Sequence, residues 1–457
     1  MMSQQALLRI TDSHLDDLKR HLFPGDGLEA SAIVLASCNL LNNQIIFLVQ
    51  EFILIPHDEC ARKSDYITWP GKYIENAIEK GEAKHLSLFL IHSHPSGFND
   101  FSIADNESDV KVIPCIYQAY SQFHGSIIMT PEGHLTGRFY DPDLKPQYID
   151  KFIVIGNEIE VITKTPKNNF LPFSSEMTNY FRKFKVGIIG ASGTGSIVIE
   201  SLARLGIGHF VLVDDDIVEH KNLNRILNST IDDAEKHLLK VNILADAIKK
   251  YRSDVVVCPL PSKIENSHTI LELASCDVLF SCVDTASARM YVDQVSEFFL
   301  VPIFDIGVVI STSSVGNRTS ITEACARLDY IQPHKTSLKD RGIYTPSMLN
   351  AEYLKNASPA TYEQQLKEGY LKNVIEEAPS VITLNMMAAS FCVNEFIART
   401  CHFRQESNSN YARTLICLGA NEIDYSKETE FTLSPRLNLG KGITIPLLGM
   451  PSLGTIT

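Results

Sequence analysis

Residues 186–196 read Val-Gly-Ile-Ile-Gly-Ala-Ser-Gly-Thr-Gly-Ser, a short apolar run that leads into a glycine-rich turn. Beyond the turn, Val198, Leu202 and Leu205 recur at the spacing of one helix face. A second apolar run follows at 210–213. A strand, a helix and a second strand in this order form a βαβ unit, which requires a parallel sheet. The sequence therefore predicts an α/β fold with a Rossmann-like domain in its C-terminal part.

The glycine-rich turn is typical of a phosphate-binding loop. Gly190, Gly193 and Gly195 allow backbone N–H groups and the N-terminus of the following helix to face an anion. Asp214 follows the next predicted strand about 20 residues later, where an acidic side chain can bind ribose hydroxyls. The same pattern is typical of NAD-dependent dehydrogenases. The turn and Asp214 alone therefore leave both functions open.

Polar residues further along the chain favour ATP chemistry over hydride transfer. The ordered set is Asp214, Asp216, Asn222, Arg225, Lys240 and Asp284. From residue 170 to about 425, the chain resembles the ThiF-like family of adenylating, ubiquitin-activating enzymes. The resemblance implies that Asp214 binds the ribose and that Asp284 binds Mg²⁺. It also implies that Asn222, Arg225 and Lys240 bind the triphosphate of ATP, where positive charge is needed because a carboxylate attacks the α-phosphate.

A second candidate site lies in the N-terminal part of the chain. The apolar run at 86–91 predicts a buried strand, which leads directly into His92-Ser93-His94-Pro95. Alternation along an extended chain places His92 and His94 on the same side, so both imidazoles can bind one metal ion. Asp105, in the segment that follows, can supply an oxygen ligand. Three protein ligands leave a position for water, as in a catalytic zinc site.

Together with Ser102, this arrangement resembles the JAMM signature of the JAB/MPN metalloproteases. The resemblance implies an N-terminal mixed α/β hydrolase domain whose Zn²⁺ ligands are His92, His94 and Asp105. It implies that Ser102 hydrogen-bonds the oxyanion of the tetrahedral intermediate. A fusion of the two families resembles components of bacterial ubiquitin-like conjugation systems, some of them linked to antiviral defence against phage.

The JAB/MPN resemblance also implies a glutamate that accepts a proton from the zinc-bound water. Glu29 is the candidate because it precedes the strand predicted at 32–35, after an N-terminal helix. Glu51 is the alternative, although it comes one strand later along the chain. We therefore predict that Glu29 is the general base.

Polar and proline-containing stretches suggest where the domains end. We predict a JAB/MPN domain at 1–145, a connecting segment at 146–169, a ThiF-like domain at 170–425 and a C-terminal tail at 426–457. The long polar stretch at 327–377 is predicted to separate the parallel sheet from an apolar helix that begins near residue 380. The role of the tail stays open.

The cysteine pattern limits the covalent chemistry. The chain has 10 cysteines and no Cys-x-x-Cys pair, so the structural zinc site of many ThiF-like proteins is not expected. Cys325 occupies roughly the place of a cysteine in relatives, and it is our candidate for a thioester nucleophile. The favoured interpretation is nevertheless a buried, unreactive thiol, since no neighbour in the sequence lowers its pKa. Arg182 precedes the glycine loop without the arginine motif of relatives, so the origin of any arginine that reaches the nucleotide stays open.

Composition limits the partners. A net charge of -13 argues against a nucleic-acid binder, because phosphate-backbone binding needs clustered Lys and Arg. The sequence shows no signal peptide and no long apolar run, so we expect a cytoplasmic protein that does not bind membranes. The two resemblances imply a ubiquitin-like protein ending in Gly as substrate, a conjugating-enzyme partner and a homodimer formed through the adenylating domain. Sulfur-carrier activation for thiamin or molybdopterin synthesis and an inactive modifier-binding scaffold remain alternatives.

Overall fold

The computed structural model describes residues 5–164, 171–315, 318–360, 362–363 and 381–454. The chain forms two compact units. The first comprises Met1–Asn169, Phe298–Leu300 and Leu437–Gly449, and the second comprises Phe170–Glu297, Val301–Arg436 and Met450–Thr457. In the part of the chain that the structure describes, no helix is both long and apolar enough to span a bilayer.

The first unit is built on a nine-stranded mixed sheet. Its helices are α1 (Asp12–Leu22), α2 (Lys72–Lys84) and α3 (Ile103–Ala119). Its strands are β1 (Gln5–Thr11), β2 (Ser31–Leu41), β3 (Gln44–Leu54), β4 (Ala61–Arg62), β5 (Ile67–Thr68), β6 (Leu86–Ser93), β7 (Gly125–Met129), β8 (Leu135–Tyr140), β9 (Pro146–Tyr148), β10 (Lys151–Ile155) and β11 (Ile159–Thr163). The order in the sheet is β11-β10-β1-β3-β2-β6-β7-β8-β9, and β4 and β5 pair separately.

Both faces of this sheet are covered, which explains why its central strands are apolar along their whole length. In β2, Ala32 and Val34 belong to one buried cluster, together with apolar residues of α1. Ile33 and Leu35 point to the opposite face and join a second cluster, together with residues of α2 and α3. The sheet therefore lies between α1 on one side and α2 and α3 on the other.

The second unit is built on an eight-stranded sheet. Its strands are β12 (Lys185–Ile189), β13 (His209–Val213), β14 (Val256–Leu260), β15 (Val278–Ser281), β16 (Ile303–Val315), β17 (Arg318–Ile331), β18 (Arg413–Cys417) and β19 (Glu422–Ser426). Its helices are α4 (Ser175–Phe181), α5 (Gly193–Leu205), α6 (Ile231–Glu235), α7 (Lys240–Lys249), α8 (Ser267–Ala274), α9 (Ala286–Phe299), α10 (Pro346–Ala357) and α11 (Ile382–Cys401).

The strand order of this sheet confirms the predicted Rossmann-like domain. The order is β14-β13-β12-β15-β16-β17-β18-β19, and the first five strands are parallel. Strand order reverses between β12 and β15, and ligands of doubly wound sheets bind at the carboxyl ends of the strands flanking such a reversal. The predicted glycine-rich turn follows β12 and therefore lies at this point.

Two segments differ from the sequence prediction. The stretch predicted as a connection, 146–169, contains β9, β10 and β11, which belong to the first sheet. Phe152 and Val154 are buried because β10 pairs in parallel with β1, a strand far away in sequence. The polar stretch at 327–377 includes the end of β17 and all of α10. Thr345 caps α10 by accepting from the Met348 N–H. This helix start was overlooked because the surrounding stretch is mostly polar.

Part of the predicted tail belongs to the first unit. Gly440 O accepts hydrogen bonds from Ser37 Oγ at 2.7 Å and from Gln50 Nε2 at 3.0 Å. Asn39 Oδ1 accepts from the Ile443 N–H at 2.7 Å. Polar side chains of β2 and β3 therefore hold a segment that lies far along the chain from them.

Candidate functional site

The first site lies where β6 ends. The Nε2 atoms of His92 and His94 are 3.0 Å apart. Asp105 Oδ1 lies 3.1 Å from His92 Nε2, and its Oδ2 lies 3.4 Å from His94 Nε2. Nδ1 of His94 lies 2.8 Å from the Phe98 carbonyl oxygen, to which it donates if it carries the proton. That bond directs Nε2 of His94 towards the other two groups.

Helix α3 positions the carboxylate. Ser102 is its N-cap, and Ser102 Oγ accepts from the Asp105 N–H at 3.2 Å. Asp105 Oδ2 in turn accepts from the Ser102 N–H at 2.6 Å. This reciprocal capping box holds Asp105 in one orientation and brings Ser102 next to the predicted ligands. The bond that Ser102 Oγ accepts leaves its O–H as a donor, which the predicted oxyanion role requires.

Electrostatics at this site favour an ionised carboxylate. Burial raises the pKa of Asp105, but hydrogen bonds from His92 and His94 outweigh burial and hold that pKa well below its usual range. Burial lowers the pKa of His94, while the bonds to Asp105 and to the Phe98 carbonyl raise it above its ordinary value overall. The site therefore favours an ionised Asp105 carboxylate next to a positively charged partner.

Their geometry fits a zinc ion. Tetrahedral zinc with ligand distances near ~2.1 Å separates its ligand atoms by about 3.4 Å. The corresponding distances among His92, His94 and Asp105 are 3.0, 3.1 and 3.4 Å. Two imidazole nitrogens and a carboxylate are also a usual donor set for zinc. The residues present therefore fit the metal that the sequence predicts.

Glu29 and Glu51 have different surroundings. Glu29 is only 6% exposed, and burial raises its pKa, against the opposing charges of His92 and His94. Its backbone is held by Arg62, whose Nε donates to the Glu29 carbonyl. Glu51 instead accepts from Lys84 Nζ at 2.6 Å in a solvent-accessible ion pair. Of the two glutamates, Glu29 is the one whose carboxyl interacts electrostatically with His92 and His94.

The second site begins at the glycine-rich turn, where two glycines have no room for a side chain. Gly190 has φ +90°, and a Cβ there would lie 2.6 Å from the Cys282 carbonyl oxygen. A Cβ on Gly195 would lie 1.8 Å from the Gly190 carbonyl oxygen. A Cβ on Gly193 would lie 3.3 Å from Cδ of Arg225, so Arg225 packs on the turn. The N-terminus of α5 therefore lies close to backbone atoms and to Arg225, one of the residues predicted to bind the phosphates.

Asp214 and Lys240 meet at the end of β13. Asp214 Oδ2 accepts from the Ala191 N–H in the glycine-rich turn at 2.7 Å, and its Oδ1 accepts from the Asp216 N–H at 2.9 Å. Burial raises the pKa of Asp214, with Lys240 acting in the opposite direction. Lys240 Nζ lies 2.6 Å from Asp216 Oδ2 and 3.8 Å from Asp214 Oδ1. These four residues form one connected site.

Asn222 and Arg225 lie in a short turn after β13. Asn222 is buried, and its Oδ1 accepts from the Glu219 N–H at 3.0 Å. Arg225 Nη1 donates to the Lys221 carbonyl at 2.9 Å and to Asn224 Oδ1 at 3.2 Å. Asn222 thus holds the backbone of this segment, and the aliphatic part of the Arg225 side chain packs on the glycine-rich turn.

Asp284 is exposed and lies just beyond β15, at the same edge of the sheet as the glycine-rich turn and Asp214. Arg289 Nη2 donates to the Val283 carbonyl at 2.7 Å and thereby fixes the backbone beside Asp284. Glu352 of α10 accepts from the N–H groups of Ala286 and Ser287 at the start of α9. Glu352 was missed because it falls in the stretch predicted as polar loop.

Asn385 is a second residue that sequence reasoning missed. It lies in the first turn of α11 and is 2% exposed. Its Nδ2 would lie 2.5 Å from a Cβ on Gly193, so its amide packs directly on the glycine-rich turn. The available signal was a single asparagine near the start of an otherwise apolar helix.

The surroundings of Cys325, the candidate nucleophile, are those of a buried, unreactive thiol. Cys325 is buried in the middle of β17, directly opposite Cys417 of β18, and the two sulfur atoms lie 3.0 Å apart. Burial, together with the neighbouring Cys417, raises the pKa of Cys325 to about 12. A thiol with that pKa is hardly ionised at neutral pH. Arg182, the arginine before the glycine-rich turn, pairs with Asp254 at 3.0 Å.

Comparison with known proteins identifies the second unit. The sequence model of the ThiF family matches residues 167–429, more than half of the chain. The "SAMP-activating enzyme E1" of Haloferax volcanii is 31% identical over 119 residues, which cover 26% of this chain and 43% of that protein. The "Adenylyltransferase and sulfurtransferase UBA4" of Yarrowia lipolytica is 28% identical over 122 residues, which cover 27% of this chain and 30% of that protein.

The chain thus spans less than half the length of these curated relatives. Among solved structures, E. coli MccB with ATP matches with a TM-score of 0.42 and 19% identity, over 55% of this chain and 66% of that one. That score adds nothing about activity. Because the family match covers more than half of the residues, this protein belongs to the ThiF family.

Proposed function

We propose that the second unit activates the C-terminal carboxyl group of a protein substrate by ATP-dependent adenylation. The carboxylate oxygen attacks the α-phosphorus of ATP, the bond to the bridging oxygen breaks, and pyrophosphate leaves with that oxygen. The products are an acyl-adenylate and pyrophosphate. One observation carries this proposal: in a chain of the ThiF family, Asp214 bonds the glycine-rich turn while the ammonium of Lys240 lies beside it.

The residues divide the work of binding ATP. The N–H groups at the start of α5 face the phosphates, and Asp214 binds the ribose hydroxyls. Asn222, Arg225 and Lys240 surround the triphosphate, where the two cations offset charge that develops as pyrophosphate leaves. Asp284 is the residue that would hold Mg²⁺, and a bound Mg²⁺ supplies further charge neutralisation at the phosphates.

The proposed substrate is a ubiquitin-like protein or a sulfur carrier that ends in Gly. The matched Haloferax volcanii protein is named a SAMP-activating enzyme E1, and the matched Yarrowia lipolytica protein is named an adenylyltransferase and sulfurtransferase. These two names support both substrate classes. In the first class a conjugating enzyme would receive the activated modifier, and in the second a sulfur donor would convert it to a thiocarboxylate. We further propose that the active form is a homodimer through the ThiF-like unit.

Exchange of labelled pyrophosphate into ATP tests adenylation, because the step is reversible. Ubiquitin-like proteins and sulfur carriers ending in Gly-Gly would be supplied in turn, and a form lacking the last Gly serves as the control substrate. Exchange with the intact form and none with the truncated form is expected. No exchange with any of them, in a protein that binds ATP, would leave only the scaffold alternative.

We propose a second activity for the first unit, the zinc-dependent hydrolysis of peptide or isopeptide bonds at the C-terminus of the same modifier. The convergence of His92, His94 and Asp105 carries this proposal. A bound zinc ion would polarise the scissile carbonyl and lower the pKa of a water molecule. As a water molecule adds to the carbonyl carbon, Glu29 would take a proton from it and pass that proton to the amine, which leaves as the C–N bond breaks, and the Ser102 hydroxyl would donate to the carbonyl oxygen.

A modifier extended at its C-terminus tests this activity directly. The purified protein should release the extension and expose Gly-Gly, and mass spectrometry of both products gives the cleaved bond. Treatment with a zinc chelator should stop release, and added Zn²⁺ should restore it. Cleavage that persists in His92→Ala would show that the three converging residues are not the hydrolytic site.

A further inference from the structure

A buried polar network lies one helical turn beyond the predicted zinc ligand of α3. Asp109 is 4% exposed, and its carboxylate accepts three side-chain donors from β7 and β8. Ser126 Oγ donates to Asp109 Oδ1 at 2.6 Å, and Tyr140 OH donates to Oδ2 at 2.9 Å. Arg138 pairs with Oδ2 through Nε at 2.9 Å and Nη2 at 2.7 Å. This is a buried ion pair in which two guanidinium nitrogens approach one carboxylate oxygen.

The same guanidinium also reaches the first turn of α3. Arg138 Nη1 donates to Asn106 Oδ1, and Asn106 is the residue directly after the predicted ligand Asp105. The guanidinium carbon of Arg138 lies 3.8 Å from the ring centroid of Phe101, which immediately precedes Ser102. One arginine of β8 thus contacts both sides of the capping box that orients Asp105.

The two halves of the predicted metal site come from different elements. His92 is the second-last residue of β6 and His94 directly follows that strand, whereas Asp105 lies on α3. Strand β7 pairs in parallel with β6, with Ile128 opposite His92, and β8 pairs with β7. The Asp109 network therefore fixes α3 to the same sheet that carries the histidines.

We propose that Asp109 and Arg138 are positioning residues that hold Asp105 at ligand distance from the histidine pair. The proposal rests on the zinc function of the first unit. Replacing a buried ion pair by apolar residues is often neutral or stabilising, so stability alone does not explain why an ion pair occupies this place. What it supplies is a fixed orientation of the first two turns of α3, and outer groups that orient metal ligands affect affinity by about 10–100-fold.

Two tyrosine variants separate positioning from general stability. Tyr140→Phe removes the hydroxyl that donates to Asp109 Oδ2. Tyr117→Phe is the matched control, because it removes a hydroxyl of α3 that donates to the Tyr140 carbonyl at 3.0 Å, more than two turns beyond Asp109. Both changes delete one hydrogen bond between α3 and β8 and keep the aromatic ring.

The measurement is the Zn²⁺ dissociation constant of the full chain, by competition with a chromogenic chelator, together with urea unfolding of the metal-free protein. Tyr140→Phe should weaken zinc binding by about 3- to 10-fold, the equivalent of one hydrogen bond. Tyr117→Phe should leave the constant unchanged at a similar loss of stability. Asp109→Asn should weaken binding further, by about 10–100-fold.

Equal zinc affinity in Tyr140→Phe and Tyr117→Phe, with wild-type protein that binds zinc tightly, would overturn the positioning proposal and leave the hydrolase proposal intact. Wild-type protein that binds no zinc would overturn both. If Asp109→Asn does not fold, the tyrosine pair alone decides between the two results.

Discussion

The Nε2 atoms of His92 and His94 lie 3.0 Å apart. Two neutral imidazole nitrogens cannot both present lone pairs at that distance without repulsion, so a proton or a cation has to lie between them. Asp105 adds negative charge on the same side. Either a proton shared between the two nitrogens or a bound cation satisfies this arrangement, and the second case is the basis of the first prediction.

Purified without chelators, the protein should hold about one zinc per chain. Glu29→Gln should keep that zinc and lose cleavage of a C-terminally extended modifier by about 100-fold or more, because it removes a proton acceptor and no ligand. Elemental analysis and a cleavage assay measure the two quantities. Glu51→Gln is the matched control, since Glu51 pairs with Lys84 at the surface and should be dispensable. If Glu51→Gln loses cleavage and Glu29→Gln does not, the assignment of the base is wrong.

Cys325→Ser should retain adenylation. The thiol is buried against Cys417, and its pKa of about 12 leaves almost no thiolate at neutral pH. Pyrophosphate exchange should fall by less than about 2-fold, and any modifier transferred to the enzyme should still be found by non-reducing electrophoresis. Loss of a thioester band that is present in the wild-type protein would restore Cys325 as the nucleophile.

Gly195→Ala should abolish ATP binding, because the new Cβ would lie 1.8 Å from the Gly190 carbonyl oxygen. The turn must shift, at an expected loss of about 1–3 kcal/mol in stability. Gly419→Ala is the matched control, since a Cβ there meets nothing within 4 Å. Calorimetric titration with a non-hydrolysable ATP analogue compares them. Wild-type affinity in Gly195→Ala would show that the nucleotide does not use this turn.

The first unit should lose stability in acid through His124. This residue is fully buried, its Nδ1 accepts from the Leu88 N–H at 3.1 Å, and burial lowers its pKa to about 4. Between about pH 6.5 and 4 the unfolded chain binds the proton and the folded chain does not, so the free energy of unfolding rises with pH by up to about 3 kcal/mol.

Trp69, the only tryptophan, packs against a core cluster of the first unit and reports its unfolding by fluorescence. Urea titrations at several pH values should show that the free energy of unfolding rises with pH in the wild-type protein and rises less in His124→Gln. An unchanged slope in that variant would assign the acid sensitivity to other groups.

The sequence was sufficient for features with local signals. The βαβ pattern around Gly190 predicts the parallel sheet, and the His92-x-His94 spacing at a strand end predicts the convergence with Asp105. Each depends on residues close together in the chain, where backbone geometry limits the possibilities. The roles of these residues stay predictions.

Features that depend on distant pairing could not be predicted. β10 forms because it pairs with β1 at the other end of the unit, so its stretch looked like a connection. Asn385 meets Gly193 only because α11 packs on α5. The burial of Cys325 depends on β18, which is formed by residues more than 80 positions later. Local propensity carries no information on these contacts.

Adenylation by the ThiF-like unit is the central claim, and pyrophosphate exchange with a Gly-terminated modifier measures it most directly. Wild-type protein should incorporate labelled pyrophosphate into ATP, and Asp284→Ala and Arg225→Ala should each lower the rate by about 100-fold or more. His92→Ala should exchange within a few fold of wild type, because its side chain belongs to the other site. Exchange that is unaffected by Asp284→Ala and Arg225→Ala, or that is abolished by His92→Ala in a folded protein, would contradict the account.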